Sequence, residues 1–229
     1  MKKMFLLSAM ALMLATTASA QFYPDGRPIH PSKRAAYYGG QRYSAFRDTY
    51  AGLRFGLNVA TVNSDSPYLD GNKARAGINA GIAVGTRLTG MTPLYLESGL
   101  YYTQKGGKCE SKGEKFTYGL DYLEMPIVLK YKAPVGSDVT IEPFLGGYLA
   151  CGVAGKIKDY QYREAYSSFG DKYVDNFNRF DGGLRVGCGV AFDRLYLEAA
   201  YDIGLANVGK DAFDDTHTGA FNLTLGVNF

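Results

Sequence analysis

The sequence predicts an all-β fold, an eight-stranded antiparallel up-and-down transmembrane β-barrel with a polar, side-chain-filled interior. Apolar and polar residues alternate with a period of two in eight separate runs, which is the pattern of strands whose two faces meet different surroundings. Long polar connections between these runs alternate with short ones, as in a series of hairpins that closes into a barrel. The runs cover approximately residues 52–62, 76–88, 94–105, 118–132, 139–154, 179–192, 195–206 and 219–229.

The first fifty residues divide into two segments that precede this pattern. Residues 1–20 carry Lys2 and Lys3, an apolar run and a small-residue ending, Ala-Ser-Ala, which together predict a secretory signal peptide that is removed after Ala20. Residues 21–50 hold three prolines and no sustained period, so we interpret them as an extended periplasmic leader. The barrel domain is therefore expected to occupy residues 51–229 of an exported chain.

Composition excludes several classes of function. The net charge of the whole chain is only +3, which gives no footprint for nucleic acid. Its three cysteines are too few and too widely spaced for a disulfide framework or a metal site. Acidic turns in the first and last long loops lack the ordered ligand spacing of a calcium loop. We therefore predict no cofactor and no bound metal.

The two faces of the predicted strands differ in charge and in glycine content. On one face, no charged residue interrupts the apolar stretch of any run, whereas the other face holds charges of both signs and many glycines. The charged set is Arg54, Arg87, Glu97, Glu124, Lys130, Glu142, Asp181, Arg185, Glu198 and Asp202. Parity alone does not tell which face is inside. Glycine would only weaken the solvated outside of a soluble barrel, but it makes room inside a narrow one. We therefore place the polar face inside, as an ion-paired network, and the apolar face against lipid.

The last run ends the chain on an aromatic residue, with no polar tail behind it. Its apolar face consists of Phe221, Leu223, Leu225, Val227 and Phe229. This pattern is typical of the assembly signal that the barrel-assembly machinery recognises in outer-membrane proteins. We expect the strand to pair with the first one and close the barrel.

Three longer stretches carry a family resemblance: "YLEMPIVLKYKAP" at residues 122–134, "IEPFLGGYLACG" at 141–152 and "RFDGGLRVGCGVAF" at 179–192. Together with the Phe-terminated last strand, they resemble the PorT-like outer-membrane β-barrel family of Bacteroidetes, a group of small barrels of the OmpA/OmpX type. The resemblance implies a cell outer-membrane location. It also implies, as an alternative function, a part in a type IX secretion or envelope assembly, with envelope or secretion proteins as partners.

Eight strands leave room for side chains but not for a diffusion pore, so the expected function is structural or surface-interacting. The third long loop offers aromatics interleaved with charges, a composition that suits protein or glycan binding: Tyr160, Tyr162, Tyr166, Phe169 and Tyr173. The same loop could instead form a self-packed hairpin above the membrane. A hydrolase is the third hypothesis, because His217 lies among three aspartates, but we expect no enzyme activity. Lipid and lipopolysaccharide of the outer membrane are the expected surroundings.

Overall fold

The computed structural model describes residues 48–65, 69, 73–90, 92–111, 114–135, 138–159, 164–170 and 176–229. The predicted signal peptide, and the predicted leader up to residue 47, lie outside these residues. The strands are β1 (Thr49–Ser64), β2 (Lys73–Arg87), β3 (Leu94–Ser111), β4 (Glu114–Tyr131), β5 (Ala133–Pro134), β6 (Val139–Ala154), β7 (Lys156–Lys158), β8 (Tyr166–Ser167), β9 (Phe180–Phe192), β10 (Leu195–Gly204) and β11 (Thr216–Asn228). A 3-10 turn, Asp211–Phe213, precedes β11.

Eight of these strands form a closed antiparallel barrel, as the alternating pattern predicts. The order around the barrel is β1, β2, β3, β4, β6, β9, β10, β11, and β11 pairs with β1 to close it. The short strands β7 and β8 extend the sheet beyond β4 at the loop end, whereas β5 pairs with β6 at the turn end. The fold class is thus confirmed.

No helix in the described part of the chain is long and apolar enough to cross a membrane.

The outer wall of the barrel is a continuous apolar surface. The side chains predicted to face lipid are the exposed ones: on β1, Leu53 is 55% exposed and Leu57 62%, and on β11, Leu225 is 64% exposed. Aromatic residues lie near the strand ends of this wall, among them Tyr131 and Phe192. Exposing so large an apolar surface to water is unfavourable. This surface is therefore the belt of the barrel that lies in the hydrocarbon of the membrane.

Glycines make room for large side chains in the interior. A Cβ on Gly85 would lie 2.2 Å from Cε1 of Tyr50, and one on Gly189 would lie 2.3 Å from the hydroxyl oxygen of Tyr196. These distances are shorter than any real contact, so the tyrosine rings fill space that only glycine leaves free. The glycine-rich polar face is therefore the inside of the barrel.

The closing seam joins the two terminal strands over thirteen pairs, from Gly52 opposite Asn228 to Ser64 opposite Thr216. The amide of Phe229 donates to the carbonyl of Ala51 at 2.8 Å, so pairing continues to the last residue. The apolar residues of the expected assembly signal all point outward on this seam: Phe221, Leu223, Leu225, Val227 and Phe229. Their recognition during assembly stays a prediction.

Candidate functional site

At the end of the lumen near the short turns, charged side chains gather around one buried lysine. The ammonium of Lys130 lies 2.9 Å from Oε1 of Glu97 and 2.6 Å from the hydroxyl oxygen of Tyr196. Two further carboxylates approach it, those of Glu142 at 3.8 Å and Glu198 at 3.7 Å. Four strands, β3, β4, β6 and β10, therefore meet at Lys130 across the centre of the barrel.

Two more cations, Lys132 and Arg54, complete this cluster at the turn end of the lumen. The ammonium of Lys132 lies 3.0 Å from Oε1 of Glu142 and 3.8 Å from the ring centre of Tyr50, whose hydroxyl donates to Glu97. The guanidinium of Arg54 stacks 4.2 Å from the ring centre of Tyr196. Carboxylates and rings thus surround each cation, which offsets the cost of removing it from water.

A second cluster fills the lumen nearer the loop end. The ammonium of Lys105 lies 3.0 Å from Oε2 of Glu124 and 3.2 Å from Oδ2 of Asp181. The guanidinium of Arg185 binds Glu124 at 3.0 Å and Asp202 at 2.6 Å. All five side chains are buried. Glu124 therefore bridges the two cations, and the charges of the cluster are linked from β3 to β10.

Nine of the ten charged residues predicted for the interior take part in these two clusters. Arg87 does not: it is the last residue of β2, and its guanidinium donates to the carbonyls of Thr92 and Gly90 in the following turn, at 3.5 and 3.4 Å. The prediction omitted Lys105 and Lys132. Both are at the ends of predicted runs and share the inward parity of Glu97 and Lys130, so the same alternation would have found them.

An apolar cap covers the loop end of the barrel. Three rings stack in sequence: Tyr118 lies 5.3 Å from Phe177, and Phe177 lies 5.2 Å from Phe213, measured between ring centres. Beside them, Phe169 packs edge-on against Tyr122 at 5.6 Å. Because the rings come from β4 and from two different loops, the cap joins the loops to the barrel.

The cap changes the expectation for the aromatic loop. Tyr166 is 5% exposed and Phe169 is 6% exposed, so these two candidate binding residues are core residues of the cap and do not present their rings to a partner. Tyr160, Tyr162 and Tyr173 lie outside the described residues. For residues 164–170 the structure therefore agrees with the self-packed alternative.

His217 shows no catalytic arrangement among the described residues. Its Nδ1 lies 3.1 Å from the carbonyl oxygen of Ala206, and its Nε2 lies 3.6 Å from the exposed carboxylate of Asp215. The neighbouring hydroxyl of Thr216 is buried and donates to the carbonyl of Phe213 at 2.5 Å. It therefore points away from the imidazole.

A closed barrel with an apolar outer belt and a polar, side-chain-filled interior defines the class of integral outer-membrane barrels. A family model described as the outer membrane protein beta-barrel domain matches residues 38–209, so the chain belongs to that family and is an outer-membrane protein. No curated protein matches the chain.

Several solved structures are similar to it. Ail of Yersinia pestis, in complex with the heparin analogue sucrose octasulfate, is 17% identical, with 80% of this chain and 100% of that chain covered and a TM-score of 0.43. Neisserial surface protein A is 16% identical, with 80% and 98% covered and a TM-score of 0.45. OprG from Pseudomonas aeruginosa is 12% identical, with 80% and 96% covered and a TM-score of 0.48.

Proposed function

We propose that the protein is a closed, non-enzymatic outer-membrane barrel that acts through the surface of its loop end and does not conduct solutes. The observation that carries this proposal is the filling of the lumen at two levels. Lys130 and Lys105, each 0% exposed, lie among carboxylates contributed by opposite sides of the barrel. A solute would have to separate these buried ion pairs. Breaking one buried ion pair costs about 3 to 5 kcal/mol.

Conductance in planar bilayers tests the closed state. The purified, folded protein is inserted at low salt, with a general porin as the positive control for insertion and detection. We expect a flat current trace after insertion, and no swelling of loaded proteoliposomes in small sugars. Steady, reproducible conductance steps from the wild-type barrel would overturn the proposal.

The surface role is supported by the packing of the loop end. The cap packs residues 164–170 against β4 and β6, through the edge-on contact of Phe169 with Tyr122 and the close approach of Phe169 to Gly152. A surface held in one conformation binds a partner at a lower entropy cost than a flexible loop does. The candidate contacts that remain are Tyr160, Tyr162 and Tyr173, on either side of the fixed segment.

A triple replacement tests those contacts without removing the cap residues. Tyr160→Ser, Tyr162→Ser and Tyr173→Ser are combined, and adhesion of cells that display the protein is measured on immobilised glycans and proteins. The control is Tyr131→Ser, because that exposed tyrosine lies at the turn end of the barrel. We expect the triple variant to lose adhesion and the control to keep it. Equal adhesion of both would contradict the surface role.

The PorT-like resemblance and a part in a type IX secretion or envelope assembly form the second candidate. Glu124 and Lys130, in the first of the three stretches that carry the resemblance, face the lumen and are buried, so their role here is to hold the barrel together. Partner contacts would have to come from the leader and the short turns. Crosslinking in the native envelope, followed by mass spectrometry, tests this: enrichment of secretion or envelope-assembly proteins supports it, and the recovery of none of them contradicts it.

A further inference from the structure

Three side chains in the cluster nearer the loop end have the arrangement that joins an amine to a carboxyl group. Nζ of Lys105 donates a hydrogen bond to Oδ2 of Asp181 at 3.2 Å, and it also lies 3.0 Å from Oε2 of Glu124. All three side chains are 0% exposed. A nucleophile, a carboxyl group to be attacked and a second carboxylate that can carry protons therefore meet at one buried point.

The two carboxyl groups differ in the donors that contact them. Oδ1 of Asp181 accepts from the backbone amide of Gly182 at 2.8 Å and from the hydroxyl of Tyr148 at 3.4 Å. If Nζ adds to the carboxyl carbon, negative charge develops on this oxygen, and the two donors stabilise it as an oxyanion hole does. Cations lie 3.0 Å from the oxygens of Glu124, which accept no aligned hydrogen bond from the described residues. Asp181 is therefore the group prepared for attack, and Glu124 is the base.

The surroundings of Lys105 favour an uncharged product. Its Nζ lies 4.2 Å from the ring centre of Tyr148 and 5.6 Å from that of Tyr122. The hydroxyl of Thr218 donates to Oδ2 of Asp181 at 2.8 Å, on the oxygen that would leave. A lysine held among rings and away from water is a strong nucleophile once it loses its proton. Burying an amide also costs less than burying two separate charges, so this site favours the amide.

Lys130, the buried lysine at the turn end of the lumen, has a different environment. Its Nζ lies 2.9 Å from Oε1 of Glu97, and the other oxygen of that carboxylate accepts from the hydroxyl of Tyr50. Within the described part of the chain, no backbone amide donates to Glu97, and two further carboxylates share the charge of Lys130. The arrangement around Lys105 is therefore not a general result of burying a lysine in this lumen.

We propose that Lys105 and Asp181 condense in the folded barrel to an intramolecular amide, an isopeptide bond, with Glu124 as the catalytic base. Glu124 takes a proton from the ammonium, and Nζ then attacks Cγ of Asp181 and forms the nitrogen–carbon bond. The bond from Cγ to Oδ2 breaks, and Oδ2 leaves as water. Both protons of that water come from the former ammonium and are carried by Glu124. Nothing is oxidised or reduced, and Glu124 is regenerated.

The bond connects two strands that are not neighbours in the barrel. Lys105 is on β3 and Asp181 on β9, with β4 and β6 between them, so the bond crosses the lumen and encloses residues 106–180 in a covalent ring. The ion pair between Glu124 and Arg185, at 3.0 Å, is retained. The bond uses interior residues alone and is independent of the proposed surface role, so its absence would leave that role unaffected.

Mass spectrometry of the mature protein, purified from outer membranes and digested completely with trypsin, tests the bond. Trypsin does not cleave after an acylated lysine, so the wild type should yield a branched peptide in which residues 88–108 are joined to residues 180–185. Its mass should be lower than the sum of the two peptides by one water molecule. Recovery of residues 88–105 and 180–185 only as separate peptides would overturn the proposal.

Variants test the role of each atom. Lys105→Arg keeps a cation whose guanidinium does not lose its proton, so the branched peptide should be absent, whereas the exposed control Lys115→Arg should yield it as the wild type does. Glu124→Gln keeps the side-chain size without the base and should lose most of the branched peptide. Asp181→Asn should release ammonia in place of water, so its branched peptide should have the wild-type mass. A full yield from Glu124→Gln, or any from Lys105→Arg, would contradict these assignments.

Discussion

The ammonium of Lys105 lies 3.0 Å from the carboxylate of Glu124, and both side chains are fully buried in the middle of the barrel. Lys105 comes from β3 and Glu124 from the neighbouring strand β4. The carboxylate of Glu124 also binds the guanidinium of Arg185 on β9. One ion pair between adjacent strands is thereby extended across the lumen. The charges that close the barrel interior are the same charges that connect its opposite walls.

Removing Lys105 should destabilise the barrel strongly. Lys105→Met leaves Glu124 with Arg185 alone and Asp181 without its cation, so we expect a loss of about 3 to 5 kcal/mol in the free energy of unfolding. Guanidinium unfolding in lipid vesicles, followed by circular dichroism, measures it, since the chain has no tryptophan. Lys115→Met removes an exposed lysine and should leave the midpoint unchanged. A Lys105→Met barrel as stable as the wild type would contradict the structural role of the cluster.

The alternation of residue types was sufficient to predict the barrel, because each strand separates lipid from a polar interior with a period of two. Parity placed Glu97, Glu124 and Arg185 inside, where they lie. It did not predict the partners, since Glu124 contacts Lys105 and Arg185 through strand register, which the sequence does not encode locally.

The loop end was less predictable for a physical reason. Tyr166 and Phe169 lie in a polar, charged segment that has no period, so the sequence pattern left open whether their rings bind a partner or pack within the loop. Their burial depends on Phe177 and Phe213 from elsewhere in the chain meeting β4 above the membrane. The closed barrel brings these loops together at one end. The sequence of a single loop therefore does not predict which residues of the other loops it contacts.

Filling one interior glycine should displace a specific tyrosine. Gly85→Ala introduces a Cβ 2.2 Å from Cε1 of Tyr50, which must move and lose its hydrogen bond to Glu97. We expect a loss of about 1 to 3 kcal/mol in the free energy of unfolding from this overpacking. The same change made in a Tyr50→Val background should cost much less, because the ring is absent. An equal cost in both backgrounds would show that the backbone, and not Tyr50, opposes the alanine.

A charge on the outer wall should be costly at mid-belt and tolerated above it. Leu223, 48% exposed, lies opposite Leu57 on the closing seam, in the middle of the apolar belt. Leu223→Lys should therefore reduce stability by about 2 to 4 kcal/mol in a bilayer. Asn63→Lys introduces the same side chain on an exposed position near the loop end of β1 and should have little effect. Equal unfolding free energies for the two variants in vesicles would contradict the position of the belt.

The stability of the last long loop should depend on pH through the carboxyl group of Asp214. Nδ2 of Asn207 donates to Oδ1 of Asp214 at 2.6 Å, and this hydrogen bond, followed by one from the amide of Asp215, lowers the pKa of Asp214 below its ordinary value. Because the pKa is lower in the folded protein than in the unfolded chain, the contact favours the folded loop above about pH 4 and is lost as the pH falls through the folded-state pKa. Carbon-13 NMR of labelled aspartates measures this titration.

Two replacements of Asn207 separate the hydrogen bond from the order of the loop. Oδ1 of Asn207 also accepts from the amides of Gly209 at 2.9 Å and Thr216 at 3.1 Å. Asn207→Asp keeps that acceptor, removes the amide donor and adds a like charge, so the pKa of Asp214 should rise the most while the loop stays ordered. Asn207→Ala should raise the pKa less and disorder the loop. If neither replacement moves the pKa of Asp214, the amide of Asn207 is not the group that stabilises its carboxylate.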